Sequence, residues 1–404
     1  MSRYSSDKEF GSYEVQQLFR GLLKRDPESE ETIQCHLKFG SIEKAADFII
    51  TSQEFRNNQN AKYKNDLRVQ LSQLVRAQLA AWTQAEINVS DYAAHISGCR
   101  QILNKFVFFC EGNTVRLLDK DDGACINKER AMFYLELLKE VLSVYPINSG
   151  IYIIIDVDDE APQSENMPVF SFQKPRGGKN ILLPDFDMFG HNFLNIKYDD
   201  VPYESKQPLA IFAGATTGAK VIDLNTAQNS LTQRLRSAKY FRDEPLVDYR
   251  LPKICQCQND DVFDYLLSQG YGRDPVGWNE MLNNKFIISV DGNGATCGRV
   301  ALALKSNSCL VKYSSNNILY YFDALIPYLH YLPVEKDEDL VPFVRNEIEK
   351  PNLYKYVATS GTDFANFMLN KDAVLLYTSL LLEAFKEILA NNGIFWNGRK
   401  SIDL

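Results

Sequence analysis

Basic clusters, long apolar runs and paired cysteines are all scarce in this 404-residue chain, and each scarcity removes a class of function. No stretch gathers Lys and Arg densely enough to track a phosphate backbone, and the formal net charge is −8, so a nucleic-acid binder is excluded. The same lack leaves no polybasic patch for a membrane surface. No apolar run approaches the ~20 residues that span a bilayer. The opening residues MSRYSSDKEFGSYEV have no apolar core of the kind a signal peptide carries, so a cytoplasmic location is expected. The eight cysteines are then expected to be reduced. Cys255-Gln256-Cys257 is the one close pair, and no second Cys/His pair stands at ligand spacing, so no zinc site and no metal is expected there. The final Ser-Ile-Asp-Leu has the outline of a retention signal, without the secretory signal that would give it meaning. Internal repeats and low-complexity tracts are missing too.

What is present is apolar material in quantity: 45% hydrophobic and 12% aromatic residues, enough for large cores in two or three domains. Tyr13, Leu18, Phe19, Leu22 and Leu23 follow helical spacing, Asp26-Pro27 breaks the helix, and Ala45, Phe48 and Ile49 form a second stripe, so residues 1–63 read as a small all-helical domain. Leu67, Leu71, Leu74, Val75, Leu79 and Trp82 mark a long amphipathic helix. Phe106 to Cys110 and Thr114 to Leu118 flank Glu111-Gly112-Asn113 as a hairpin. A helix over Lys128 to Tyr145 and a strand over Ile151 to Ile155 begin an α/β alternation.

That alternation resumes with a strand at Leu209 to Phe212, a small-residue turn at Gly214 to Gly218 and a helix over Ser230 to Tyr240 bearing Arg234 and Arg236. A strand, turn and helix recur over Lys285 to Leu304, and Leu310 to Tyr313 gives a further strand. The expected division is an α/β lobe at 64–205, a second α/β lobe at 206–345 with the boundary near Tyr203 to Gln207, and a C-terminal helical segment at 346–404. Its strongly apolar helix, Asp372 to Asn391, stops at Gly393 and is expected to pack back across the lobes.

Two places carry candidate chemistry. In the second lobe a hydrophobic strand (Phe286 to Val290) runs into Asp291 and Gly292, and the following helix carries Arg299. This arrangement aims backbone N–H groups and a guanidinium at anionic oxygens, as a diphosphate requires. In the first lobe Ile151 to Ile155 delivers Asp156-Val157-Asp158-Asp159-Glu160 to the carboxyl end of a strand. One reading makes Asp156 and Asp158 an Asp-x-Asp clamp for Mg²⁺ or Mn²⁺. Another makes a single carboxylate the general base for an acceptor hydroxyl. The bland alternative is a solvated acidic loop.

Five blocks then recur in a familiar order: PVFSFQK (168–174), NILLPDFDMFG, LAIFAGATTG, the 285–304 segment and LIPYLHYLPV. Together, over roughly Ile151 to Val334, they resemble glycosyltransferase family 90, which includes protein O-glucosyltransferases and O-xylosyltransferases, capsule-associated proteins and lipopolysaccharide-modifying enzymes. The run from Tyr13 to Phe55 resembles a small helical domain that accompanies bacterial surface-polysaccharide proteins.

The resemblance implies a GT-B fold, with two Rossmann-like lobes facing a cleft, and inverting, metal-independent transfer of a sugar, xylose or glucose, from a UDP-sugar to a hydroxyl. No cofactor is implied beyond the donor. IDVDD matches the family's strand-end base at Asp159, with Asp158 the fallback because one shift of register exchanges them. Arg299 matches the arginine after the Gly-containing turn, where Gly292, Gly294 and Ala295 let the backbone approach the phosphates. Arg234 matches less securely, and Gly214, Thr216 and Thr217 line the other turn. Ala213 stands where the animal enzymes carry arginine, a departure that puts a direct diphosphate role of that turn in doubt.

Asp185 and Asp187 fall on the acceptor side. His330 is read as structural, and Tyr320, Tyr321 and Phe322 as core. The expected partners are a nucleotide-sugar donor and a glycan or lipid-linked saccharide acceptor. Peripheral contact with an inner-membrane assembly complex and self-association through the helical domain are further expectations. A metal-dependent transferase and a non-catalytic glycan-binding scaffold are the competing readings.

Overall fold

The computed structural model describes residues 11–118 (without 24, 51, 53 and 56–66), 125–159, 166–187, 199–295 and 297–395. The chain divides into two compact units, Met1–Asn65 and Asp66–Leu404.

The first unit is helical where it is described: α1 (Ser12–Leu18), a π-helical turn (Phe19–Leu23), α2 (Glu30–Leu37) and α3 (Ile42–Ile50). Ser29 caps α2 by accepting from Thr32 N–H, with Glu30 and Glu31 at the positive end of the helix dipole. Val15, Phe19, Leu23, Ala45 and Ile49 are buried, and His36 lies among the rings of Phe19, Phe39 and Phe48. Tyr13 and Phe48, expected in the apolar stripes, are instead largely exposed. Arg25 holds Glu54 with two N–H groups, at 2.5 and 2.7 Å.

The second unit begins with α4 (Leu67–Leu79) and α5 (Val89–Cys99), then β1 (Lys105–Gly112), β2 (Thr114–Leu117), α6 (Lys128–Val144) and β3 (Ile147–Asp156). Three strands of two residues each follow: β4 (Phe170–Ser171), β5 (Lys174–Pro175) and β6 (Ile181–Leu182). The first sheet has the order β2-β1-β3-β4-β6. It is mixed rather than wholly parallel. Gly112, at φ 58°, folds β2 back antiparallel to β1, and β1 pairs antiparallel with β3, while β4 and β6 run parallel to β3. From Ile151 to Asp156 every residue of β3 is buried, which is why it reads as a continuous apolar run.

The remaining elements are β7 (Gln207–Ala215), α7 (Leu224–Asn229), α8 (Gln233–Tyr240), β8 (Val247–Lys253), α9 (Asp260–Ser268), α10 (Trp278–Met281), β9 (Asn284–Ser289), α11 (Cys297–Leu304) and β10 (Cys309–Tyr313). After them come β11 (Asn317–Ile318), β12 (Leu332–Val334), α12 (Leu340–Glu349), α13 (Lys355–Met368) and α14 (Lys371–Asn391). The second sheet, β12-β10-β9-β7-β8, is parallel throughout. The helix expected over 230–240 starts three residues later, at Gln233, because Ser230 adopts a left-handed φ of 52° that ends α7 and Thr232 caps α8 through Leu235 N–H.

The segment joining the sheets is no loose linker. Lys206 and Asp199 form a buried ion pair at 2.6 Å, and Asn307 donates to the carbonyls of Asp199 and Val201. Helices α12 and α13 cover the second sheet, whereas α14 returns to the first and packs on α4 and α6. There Tyr377 donates to Leu182 C=O at 2.8 Å and its ring lies tilted against that of Tyr320, centroids 4.5 Å apart, so Tyr320 belongs to the core, as does buried Tyr321. The two sheets are also bridged directly, because β5 of the first half pairs antiparallel with β11 of the second.

Candidate active site at the ends of two sheets

Strands β7 and β9 are neighbours at the centre of the parallel sheet, and the strand order departs in opposite directions from them, to β8 on one side and β10 on the other. Ligands of α/β sheets bind in the crevice that such a reversal opens beyond the carboxyl ends of the strands. By that rule the place to look is between the carboxyl end of β7 with its following turn (residues 214–218) and the turn after β9 (residues 290–295).

Arg234, on α8, is spent on that architecture. Its Nε donates to Asp291 C=O at 3.0 Å, Nη2 to Val290 C=O at 3.0 Å, and Nη1 to Ala215 C=O at 3.0 Å and to Thr217 Oγ1 at 2.7 Å. One buried guanidinium therefore staples the two turns together. It also leaves no room beneath them: a Cβ on Gly292 would lie 2.5 Å from Thr217 Oγ1 and 3.0 Å from Arg234, and a Cβ on Gly214 would lie 2.8 Å from the Phe212 ring. Thr216 faces elsewhere, its hydroxyl exchanging hydrogen bonds with the backbone of Cys255.

Arg299, on α11, is different. Its Nη2 donates to Ala213 C=O at 2.6 Å, while Nε and Nη1 are sealed from solvent and have no hydrogen-bond partner in the protein. The guanidinium lies 4.5 Å from the Phe212 ring centroid and 5.7 Å from that of Trp278. Burial, and then the Arg234 guanidinium, push its pKa down to about 9, and no carboxylate is among the groups acting on it. A guanidinium keeps its proton under such pressure. The shift therefore marks a buried positive charge with no counter-charge, beside the N-terminal end of an eight-residue helix.

The acidic residues lie at the carboxyl end of β3, in the first sheet. Asp156 is buried, and its Oδ1 accepts from Asn104 Nδ2 at 2.7 Å and from Asp158 N–H at 3.0 Å. Burial raises its pKa, and those hydrogen bonds oppose the rise. Asn104 Nδ2 also reaches Asp158 Oδ2 at 3.2 Å. Asp159 is half exposed and pairs with Arg130 of α6 at 2.8 Å. Arg130 in turn donates to Val157 C=O and lies 4.5 Å from the Phe186 ring centroid. The Asp159 carboxylate is thus held from the side by Arg130 while still reaching solvent.

Gln173, between β4 and β5, joins the halves. Its Nε2 donates to the carbonyl of Asp159, and its Oε1 accepts from Ala295 N–H at 2.6 Å. Gly294 lies directly under this amide, where any Cβ would collide with it.

The remaining predicted residues lie apart. Asp185 is buried near the Tyr320 phenol, whose pKa is raised by burial first and then by the Asp185 charge. Asp187 is half-buried at the edge of residues 188–198, which lie outside the described residues, as does Glu160. His330 is buried, accepts from Ile326 N–H through Nδ1 at 3.0 Å, and has its pKa pressed down to about 3 by burial. Among the described residues no group of three or more His, Cys, Asp or Glu side chains is placed to hold a metal ion.

The family model described as Glycosyl transferase family 90 matches residues 152–402, more than half of the chain, including the 156–159 aspartates, Arg234, Arg299 and both turns. The chain belongs to glycosyltransferase family 90. As a family member it is 24% identical over 218 residues to an uncharacterized protein, 179R, of Invertebrate iridescent virus 6, a match covering 49% of this chain and 18% of the viral one. It is also 27% identical over 114 residues to protein O-glucosyltransferase 2 of Danio rerio, covering 28% of this chain and 23% of that protein. The chain thus spans about a fifth of the length of these curated relatives. No helix among the described residues is long and apolar enough to cross a membrane.

Arg130, Asn104, Trp278 and Gln173 were not singled out by sequence reasoning. Only Gln173 carried a signal, as a member of the PVFSFQK block.

Proposed function

We propose that this family 90 glycosyltransferase is an inverting enzyme of GT-B type that uses no metal. It moves a sugar, xylose or glucose, from UDP to a hydroxyl of a cell-surface glycan or lipopolysaccharide precursor on the cytoplasmic side of the membrane. Arg299 carries the reading: a buried guanidinium with two unused nitrogens and no counter-anion matches the charge a leaving nucleoside diphosphate develops. Gly292, Gly294 and Ala295 bring backbone close to the phosphates, with Gly214 and Thr217 on the opposite turn. Arg234 serves by holding both turns.

In the proposed step the acceptor hydroxyl oxygen attacks the anomeric carbon in line with the departing diphosphate oxygen. Asp159 takes the hydroxyl proton as the new C–O bond forms, and the electrons of the broken bond leave on UDP. One base is sufficient for inversion. Asp158, tied to Asn104 and to Asp156 through its own N–H, is the lesser candidate. The metal-clamp reading is weakened by the commitment of Asp156 Oδ1 to two donors. Asp185 and Asp187 remain candidates for shaping the acceptor side, Asp185 from within the core.

UDP-xylose, UDP-glucose, UDP-galactose and UDP-glucuronate are the donors to screen by thermal stabilisation and UDP release. A donor at 100 times its Kd adds about 2.7 kcal/mol of stability. One of them is expected to raise the melting temperature and to be turned over unchanged after exhaustive chelation. Stabilisation by none of the four would overturn the assignment, and loss of turnover on chelation would restore the metal-dependent alternative.

A further inference from the structure

Gln173 makes an unusual pair of bonds. One end of its carboxamide holds the main chain of the proposed base, at the Asp159 carbonyl, and the other holds the main chain of the phosphate-facing turn, at Ala295 N–H. The residue is buried, and its backbone is fixed as well: its carbonyl accepts from Ser171 Oγ at 2.7 Å, and the next two residues pair with β11. Gly294 is clear of it only for want of a Cβ. These are the two loops that must stay in register for the base to face the anomeric carbon of a donor held by its diphosphate. A shift of about 1 Å in such a relationship costs about 100-fold in rate.

We infer that Gln173 is a positioning residue that couples occupancy of the 291–299 turn to the placement of the Asp159 loop. A diphosphate on that turn restrains Ala295; through Gln173 the restraint passes to the Asp159 carbonyl. The inference rests on the proposed donor site, so its test separates the two.

The informative variant is Gln173→Glu, which has the same shape. In its ionised form the carboxylate accepts from Ala295 N–H and cannot donate to the Asp159 carbonyl, so exchange and turnover are read at alkaline pH, where burial no longer keeps the carboxyl protonated. Gln173→Met, neutral and of similar length, removes both bonds and guards against an effect of added charge. UDP itself is the probe, with binding followed by calorimetry and local opening by amide hydrogen exchange.

In the wild type, saturating UDP is expected to slow exchange both at 291–299 and at 155–159. In Gln173→Glu, UDP is expected to bind within about threefold of wild type and still protect 291–299, while protection at 155–159 is lost and UDP release from the donor falls at least 10-fold in kcat with little change in donor KM. A purely structural role would instead lower the melting temperature and weaken UDP binding together. Equal protection of 155–159 in wild type and variants would overturn the coupling, as would parallel loss of UDP affinity and turnover. Failure of the wild type to bind UDP at all would overturn the donor site beneath it.

Discussion

Arg299 reaches across the crevice to donate to the carbonyl of Ala213, at 2.6 Å, and does so with only one of its three nitrogens. That single bond fixes the guanidinium and leaves two nitrogens without a partner, as the proposed diphosphate role requires.

Replacing it makes the distinction measurable. Arg299→Met keeps the apolar length against Phe212 and Trp278 but removes an uncompensated charge, so the unliganded protein is expected to melt no lower than wild type. UDP affinity, by contrast, is expected to fall at least 100-fold, a loss of about 2.7 kcal/mol. A variant that melts many degrees lower yet binds UDP normally would show that the arginine is structural after all.

Arg234→Met should behave in the opposite way. It strips donors from the carbonyls of Ala215, Val290 and Asp291 and from the Thr217 hydroxyl in a buried setting. A cost of about 3 kcal/mol or more in urea unfolding is expected. Wild-type stability in this variant would mean that the turns do not depend on the staple.

For the base, Asp159→Asn is expected to slow sugar transfer at least about 100-fold while leaving UDP binding intact, since a general base contributes on the order of 100-fold to 10,000-fold. Asp158→Asn should stay within several-fold of wild type. Reversed sensitivities, read from UDP release with each variant, would exchange the two assignments.

His330 predicts a pH dependence with a definite sign. Burial presses its folded-state pKa down to about 3, below the value of about 6.5 expected in the unfolded chain. The unfolded state therefore takes up the proton first. The neutral imidazole's contribution is complete above about pH 6.5 and is lost progressively as pH falls toward 3. Between pH 7 and pH 5 this single group should remove about 2 kcal/mol of stability. His330→Asn, which retains an acceptor for Ile326 N–H, should show that much less acid sensitivity in chemical denaturation. Identical slopes for the two proteins would place the proton elsewhere.

How far the sequence carried the fold depended on where the information lay. Strands β1, β3 and β9 were legible as continuous apolar runs, because nearly all of their residues are buried, and α14 by the helical spacing of its buried residues, with Gly112 and Gly393 punctuating β1 and α14. Strands β4, β5 and β6 were not legible, because two residues hold no period and exist only by pairing with distant partners. At the site, the local signals were the acids at a strand end and the Gly-rich turn before Arg299. Arg130 and Gln173 act through space, from a helix face and a short connector, and no local pattern marks a side chain whose partners lie up to 122 residues away.

Helix α14 closes the second unit over α4, and just beyond it Asn392 accepts from Ile87 N–H, a contact spanning 305 residues. On a ribosome adding about 5 to 20 residues per second, the buried face of α4, with Leu71, Leu74, Val75 and Leu79, therefore waits about 15 to 60 s for its cover. The first sheet is among the earliest parts of this unit to be synthesised and among the last to be finished, so its maturation in the cell is timed by the far end of the matched region.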